Sequence, residues 1–290
     1  MTRRRKYVIA SPCPSASAGV RVLHKLRDEL VARGYEAGMF YWQDRKAPGG
    51  LSRDAITPSV QDNDVAVYPE TVWGNPLGFR NVARWVLNTP GKLGGEAEVS
   101  ADEMVFSFDP VFLSGYPYLK FDTVDHSLFY EDRSVEKDTV CTFVYKGGKC
   151  RDIPEEAGAK RITMQWPPTR RECADLLRRT KVLYTFDGMT SLIEEAMLCG
   201  AKVKIVTPDG FADPPPLKPF DKELFEAQIN EFIRITQTMV CRKPALPALY
   251  SRPRWQIVLI KRVARTAYSL TRNEKCRRLV REAAGALWLK

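Results

Sequence analysis

Two short stretches of this chain carry residues suited to handling phosphate. Lys146, Gly147, Gly148 and Lys149 follow an apolar, partly β-branched run. The glycines would let backbone approach a ligand, and the two ammonium groups supply charge for a diphosphate. Further on, Thr190 and Ser191 are good N-cap residues, Glu194 and Glu195 fall in the first turn of the helix they would start, and Gly200 stands at its natural C′ position. Apolar runs at 181–185 and 201–206 flank that helix, so the spacing predicts strand, loop, helix and strand over 184–206. In a parallel α/β sheet the intervening loop, with Asp187, Gly188 and Met189, lies at the carboxyl end of a strand, where ligands bind. A helix start there suits phosphate. Each stretch has a plainer reading: many such helix starts bind nothing, and the Lys-Gly-Gly-Lys segment also reads as a solvated turn. Helical spacing does not choose between Glu194 and Glu195.

The elements that must position these residues follow from periodicity. A strand at 6–10, a helix at 20–33 ended by Gly34 and a strand at 36–41 make a first βαβ unit. Its loop, 15–19, holds only small residues, Ser17 and Gly19 among them, so backbone could approach a ligand; a tight turn alone also explains it. A strand at 64–68 leads into a polar and aromatic loop with Glu70, Trp73, Gly74 and Asn75, of a kind that could bind an acceptor. Residues 81–87 are expected as a helix with Val82, Trp85 and Val86 on one side. Strands are expected at 103–108, 118–121, from 139 and at 160–164, helices at 170–180 and 221–240, and a Pro-rich loop from 207 to 219.

Composition narrows the class. A chain of 290 residues with 44% hydrophobic and 28% charged residues is ordinary for a globular protein and long enough for one large domain or two smaller ones. No apolar run approaches 18 residues, and the one near the start, 7–10, is too short for a signal peptide. Seven cysteines without C-x-x-C spacing predict reduced thiols in the cytoplasm, and with two histidines no metal site is expected. The net charge of +10 is concentrated: residues 251–290 hold eleven Lys and Arg against two Glu. That tail reads as two basic amphipathic helices. They either pack back on the core or meet an anionic membrane surface or a nucleic acid, and their aromatic and apolar content favours lipid.

Asp187, seven intervening residues and then Glu195, followed by Ala196, Met197, Cys199 and Gly200, resembles the E-x7-E and E-A-x-x-x-G segment of retaining, family-4 GT-B glycosyltransferases, with Asp in place of the first Glu. The stretch YPE…GNPLG…NVARWVLNTPG resembles the N-terminal half of bacterial polysaccharide and rhamnan-type glycosyltransferases. TVDHSLF, 123–129, resembles the crossover between GT-B domains but lacks its Asn-Gly. The resemblance implies a GT-B-like α/β fold: two Rossmann-type domains with parallel sheets facing a cleft, plus the basic C-terminal helices. Its divisions would be 1–122 (acceptor side), 123–138 (crossover), 139–250 (donor side) and 251–290. It implies that Glu195 holds the ribose of a nucleotide-sugar and that Asp187 lies near the sugar. Thr190 and Ser191, with Gly147, Gly148, Gly188 and Met189, would face the donor. Lys146 and Lys149 would stabilise the departing diphosphate without a metal or other cofactor. Ser17, Gly19, Glu70, Gly74 and Asn75 would face the acceptor, a glycan or glycolipid at the inner face of a membrane. Two alternatives stay open: transfer to modified bases of phage DNA, and a non-catalytic protein that binds a nucleotide-sugar or glycan.

Overall fold

The computed structural model describes residues 3–12, 15, 17–41, 63–145 and 148–241. Within them the chain forms two five-stranded sheets. Strands β1 (Tyr7–Ser11), β2 (Ala37–Tyr41), β3 (Val65–Pro69), β4 (Asn81–Val86) and β5 (Met104–Ser107) lie in the order β2-β1-β3-β4-β5, with every neighbour parallel. Strands β6 (Thr139–Phe143), β7 (Lys160–Ile162), β8 (Thr180–Thr185), β9 (Lys202–Thr207) and β10 (Gly210–Ala212) lie in the order β10-β9-β8-β6-β7, and β10 alone runs antiparallel. The helices are α1 (Ala18–Ala32), α2 (Arg170–Arg179), α3 (Ser191–Leu198) and α4 (Lys222–Thr238).

Both sheets are wound alike. The first strand of each, β1 or β6, has the second on one side and the third on the other, and the fourth lies beyond the third. Strand order therefore reverses between β1 and β3 and again between β6 and β8. In open α/β sheets the crevice at the carboxyl side of such a reversal is where ligands bind. The expected α/β architecture is thus present, as two parallel-dominated sheets compatible with Rossmann-type units.

Local signals account for most of the helices. Val22, Leu23, Leu26 and Leu30 of α1 recur at helical spacing and are buried, and Gly34, at φ +78°, turns the chain toward β2. Thr169 and Glu172 form a capping box at α2. Thr190 caps α3 through the Leu192 N–H, and Gly200, also at φ +78°, follows its end. Leu176, Leu177, Leu192, Ile193 and Ala196 then close the second core over Leu183 and Val203.

Three expectations are corrected. Residues 81–87 do not form a helix: 81–86 is β4, buried at all six positions. Ala83 and Trp85 enter the core beneath α1, while Val82 lies in the core on the other face. Burial on both faces erases the alternation that marks a strand, and the 82, 85, 86 spacing imitates a helix. Residues 118–121 form no named strand; Tyr118 makes a single bridge to Ser107. The loop after β9 contains β10, which pairs with β9. The residues of α4 do not join the core of the sheet that precedes it.

Instead, Ile229, Phe232 and Ile235 of α4 enter the first core, where the Phe232 ring lies 4.6 Å from that of Phe106. Tyr7 Oη and Thr236 Oγ1 are 2.7 Å apart, and Gln237 exchanges hydrogen bonds with the Arg5 backbone. The segment assigned to the donor side as 139–250 therefore sends 222–241 back to the first sheet. The tail, 251–290, lies outside the described residues. Because Phe232 is fully buried, Phe232→Ala should cost about 3–5 kcal/mol in a urea unfolding curve. A loss under about 1 kcal/mol would show that α4 is not part of that core.

Candidate functional site

Asp187 lies just past the carboxyl end of β8, at the reversal point of the second sheet. Its backbone N–H donates to Thr185 Oγ1 at 3.1 Å, and the Thr185 hydroxyl donates to the Asp187 carbonyl at 3.0 Å, so the turn is held from below. Oδ1 accepts the Met189 N–H at 3.0 Å. Oδ2 is withdrawn from solvent and has no hydrogen-bond partner, in a residue 3% exposed. A buried acceptor left open costs about 1–3 kcal/mol, so its retention calls for a reason beyond folding. Gly188 packs beside Ile205, and Met189 is exposed.

The structure separates the two glutamates that helical spacing could not. Glu194 is exposed; Glu195 is 1% exposed. Glu195 Oε1 accepts from Arg170 at 2.5 Å and from Arg21 at 3.0 Å, and Oε2 accepts from Arg170 at 3.0 Å. Arg170 is the first residue of α2, and its guanidinium lies 4.4 Å from the centre of the Phe129 ring. Arg21 comes from the first turn of α1, beside the first sheet. Its Nη2 also reaches Ser191 Oγ at 3.2 Å and the Thr123 carbonyl at 3.0 Å. Burial pulls the Arg21 guanidinium below its ordinary pKa, and Glu195 opposes that shift. The starts of α1, α2 and α3 therefore converge on one buried carboxylate.

Arg21 and Arg170 were not singled out in the sequence, yet a signal existed. Both are cations in the first turn of a helix, where the helix dipole disfavours positive charge. For these two the compensation is Glu195.

The other expected residues are placed as follows. Lys149 is committed to Asp152 at 2.6 Å and Glu156 at 2.5 Å, and these hydrogen bonds raise its pKa. Gly148 is left-handed at φ +75°, while Lys146 and Gly147 lie outside the described residues. Ser17 stands at the N-cap of α1 without a side-chain capping bond, and Gly19 sits beside Leu87.

On the first sheet, Glu70 Oε2 accepts the Leu87 N–H at 2.8 Å. Asn75 Oδ1 accepts from Tyr68 Oη at 2.9 Å, and its Nδ2 donates to the Phe79 carbonyl at 2.7 Å. Gly74, at φ +54°, donates to Glu96 and accepts from Arg84. These three residues therefore shape the loop that displays Trp73, which is 63% exposed. The loop is pinned further by Gly95, where any Cβ would fall 1.8 Å from the Glu70 carbonyl oxygen. A shallow recess beside it, with a volume of about 10 Å³, is lined by Glu70, Glu96, Glu98 and Glu103 with Arg84.

Burial pushes the Cys173 thiol up to about 12 and the Cys199 thiol to about 11, so neither offers a thiolate nucleophile near neutral pH. Among the described residues, no group of three or more His, Cys, Asp or Glu side chains could hold a metal ion. None of their helices is long and apolar enough to cross a membrane. No known protein family, curated protein or solved structure matches this chain.

If the open oxygen of Asp187 serves a ligand rather than the fold, Asp187→Asn, which keeps the acceptor for Met189, should leave stability within about 1 kcal/mol of wild type or raise it. Thermal and urea unfolding decide this. A loss above about 2 kcal/mol would make Asp187 a structural residue.

Proposed function

We propose that the protein is a glycosyltransferase, GT-B-like in fold, that moves a sugar from a nucleotide-sugar to a glycan or glycolipid acceptor. The observation that carries this reading is the meeting of the two sheets' ligand-binding ends: α1 and α3 each follow the strand at, or next to, an order reversal, and Arg21 of α1 contacts Ser191 and Glu195 of α3. Two α/β units joined in this way leave a donor and an acceptor facing each other. Proximity of that kind is what group transfer between two bound substrates needs.

In this reading Glu195 takes the ribose hydroxyls, the N–H groups at the start of α3 face the diphosphate, and the open oxygen of Asp187 accepts from a sugar hydroxyl. The anomeric C–O bond breaks with its electron pair going to the diphosphate, and the acceptor oxygen bonds to the same carbon and gives its proton to the departing diphosphate oxygen, with retention implied by the resemblance. Charge growing on the diphosphate is met by the α3 N-terminus and by Lys146. Lys149 contributes only if it leaves Asp152 and Glu156.

The acidic surface between the loop after β3 and the segment that leads into β5 favours a glycan over DNA as the acceptor. Four glutamates around one arginine repel a polyanion, while carboxylates and the exposed Trp73 suit sugar hydroxyls and ring faces. The basic tail, 251–290, would meet anionic lipid, at about 1 kcal/mol for each Lys or Arg near the surface.

Thermal-shift titration against UDP-, GDP-, dTDP- and CMP-sugars tests the donor assignment. One of them at 100 times its dissociation constant should add about 2.7 kcal/mol, and Glu195→Gln should weaken that binding by about 1–3 kcal/mol. No shift with any base would sink the reading. For the tail, the intact protein should co-sediment with anionic but not neutral vesicles, and charge reversal at Arg277, Arg278 and Arg281 should abolish this. Preference for duplex DNA over vesicles would favour a nucleic-acid acceptor instead.

A further inference from the structure

Glu195 is already occupied. Three of the roughly four acceptor positions of a carboxylate are filled by Arg170 and Arg21, and the residue is almost wholly withdrawn from solvent. A vicinal diol needs two of those positions at once, so a nucleotide's ribose can bind only after one arginine leaves. The two arginines hold Glu195 in different ways.

Arg170 is held bidentately, stands on the same unit as Glu195 and is stacked on the buried Phe129 ring. Arg21 makes one contact to Glu195, through a single nitrogen shared with Ser191 and the Thr123 carbonyl, and it belongs to a helix packed on the other sheet. Withdrawing Arg21 leaves Glu195 paired with Arg170, so the carboxylate is never orphaned. Withdrawing Arg170 would leave it on one monodentate contact.

We propose that Arg21 is a latch: it ties the two halves together through Glu195, Ser191 and the crossover at Thr123, and a nucleotide binds by displacing it from Glu195. The ligand part rests on the nucleotide-sugar reading above; the mechanical part does not. The consequence is that the ligand-free protein is held in a state that competes with its own ligand, and binding loosens the contact between α1 and α3. Apparent affinity is then reduced by the fraction of molecules unlatched.

The variant to make is Arg21→Met, in the full chain, because it keeps the side chain's apolar stem and removes only the guanidinium. Hydrogen exchange should rise about tenfold or more at the amides of 123–124 and 191–194, while α4 and β1 keep wild-type protection. Saturating nucleotide should raise exchange at 123–124 in the wild type, and Arg21→Met should bind UDP, GDP, dTDP or CMP, whichever binds the wild type, several-fold to about tenfold more tightly. Unchanged exchange at 123–124 and 191–194 in the variant overturns the latch. Equal or weaker nucleotide affinity in the variant overturns the competition. If no nucleotide binds either protein, the donor reading and the ligand half of this proposal both fail, and the exchange data alone decide whether Arg21 joins the halves.

Discussion

The burial of Glu195 is the constraint on which the arrangement of this molecule turns. An ionised carboxylate removed from water costs several kcal/mol unless cations and donors replace its hydration, and here two guanidinium groups do so. One of them can come only from the other half of the chain. The need to compensate one charge therefore fixes how the start of α1 faces the start of α3. A buried ion pair of this sort adds little net stability over an apolar contact of the same shape. What it supplies is a definite register between two units that share few other polar contacts at this point.

The helix α4 contributes a second tie. The chain builds one sheet, crosses at 122–138, builds the second and then returns through an exposed Pro-rich stretch, 213–219, to lay α4 against the first. Without that return, Trp85, Phe106 and Phe121 would lose part of their cover, because the connections from β3 to β4 and from β4 to β5 contain no helix. The first core is thus completed by residues more than a hundred positions distant from the strands they cover. The two sheets are tied by the contact of Arg21 with Glu195 and by the chain itself, which carries α4 from the second sheet back to the core of the first.

Asp187 and Glu195 illustrate two ways of keeping a carboxyl group buried. Glu195 is fully compensated from within the protein, which makes it inert until something displaces its partners. Asp187 is compensated on one oxygen only, by a turn that holds it in place whatever the other oxygen does. A group of the first kind can act as a gate, and one of the second kind is preorganised for a donor from outside.

The local signals determined the elements that carry these residues. Thr190, Ser191 and Gly200 set the limits of α3, and Thr169 with Glu172 those of α2, because capping bonds lie within a few residues of each other. The strand–helix–strand spacing around Asp187 was legible for the same reason. Where burial is two-sided, the pattern failed: β4 reads as a helix because neither face alternates, and only contact with β3 and β5 makes it a strand. Periodicity shows that α4 has an apolar face but not which sheet receives it. The partners of Glu195 stand 25 and 174 positions away, and no spacing rule reaches that far. Sequence by itself thus determined which residues could form turns, caps and helix starts, through interactions of short range. Which carboxyl is sealed, which stays open and which arginines do the sealing were decided by tertiary structure alone, because the balance between desolvation and charge pairing exists only once the two halves are brought together.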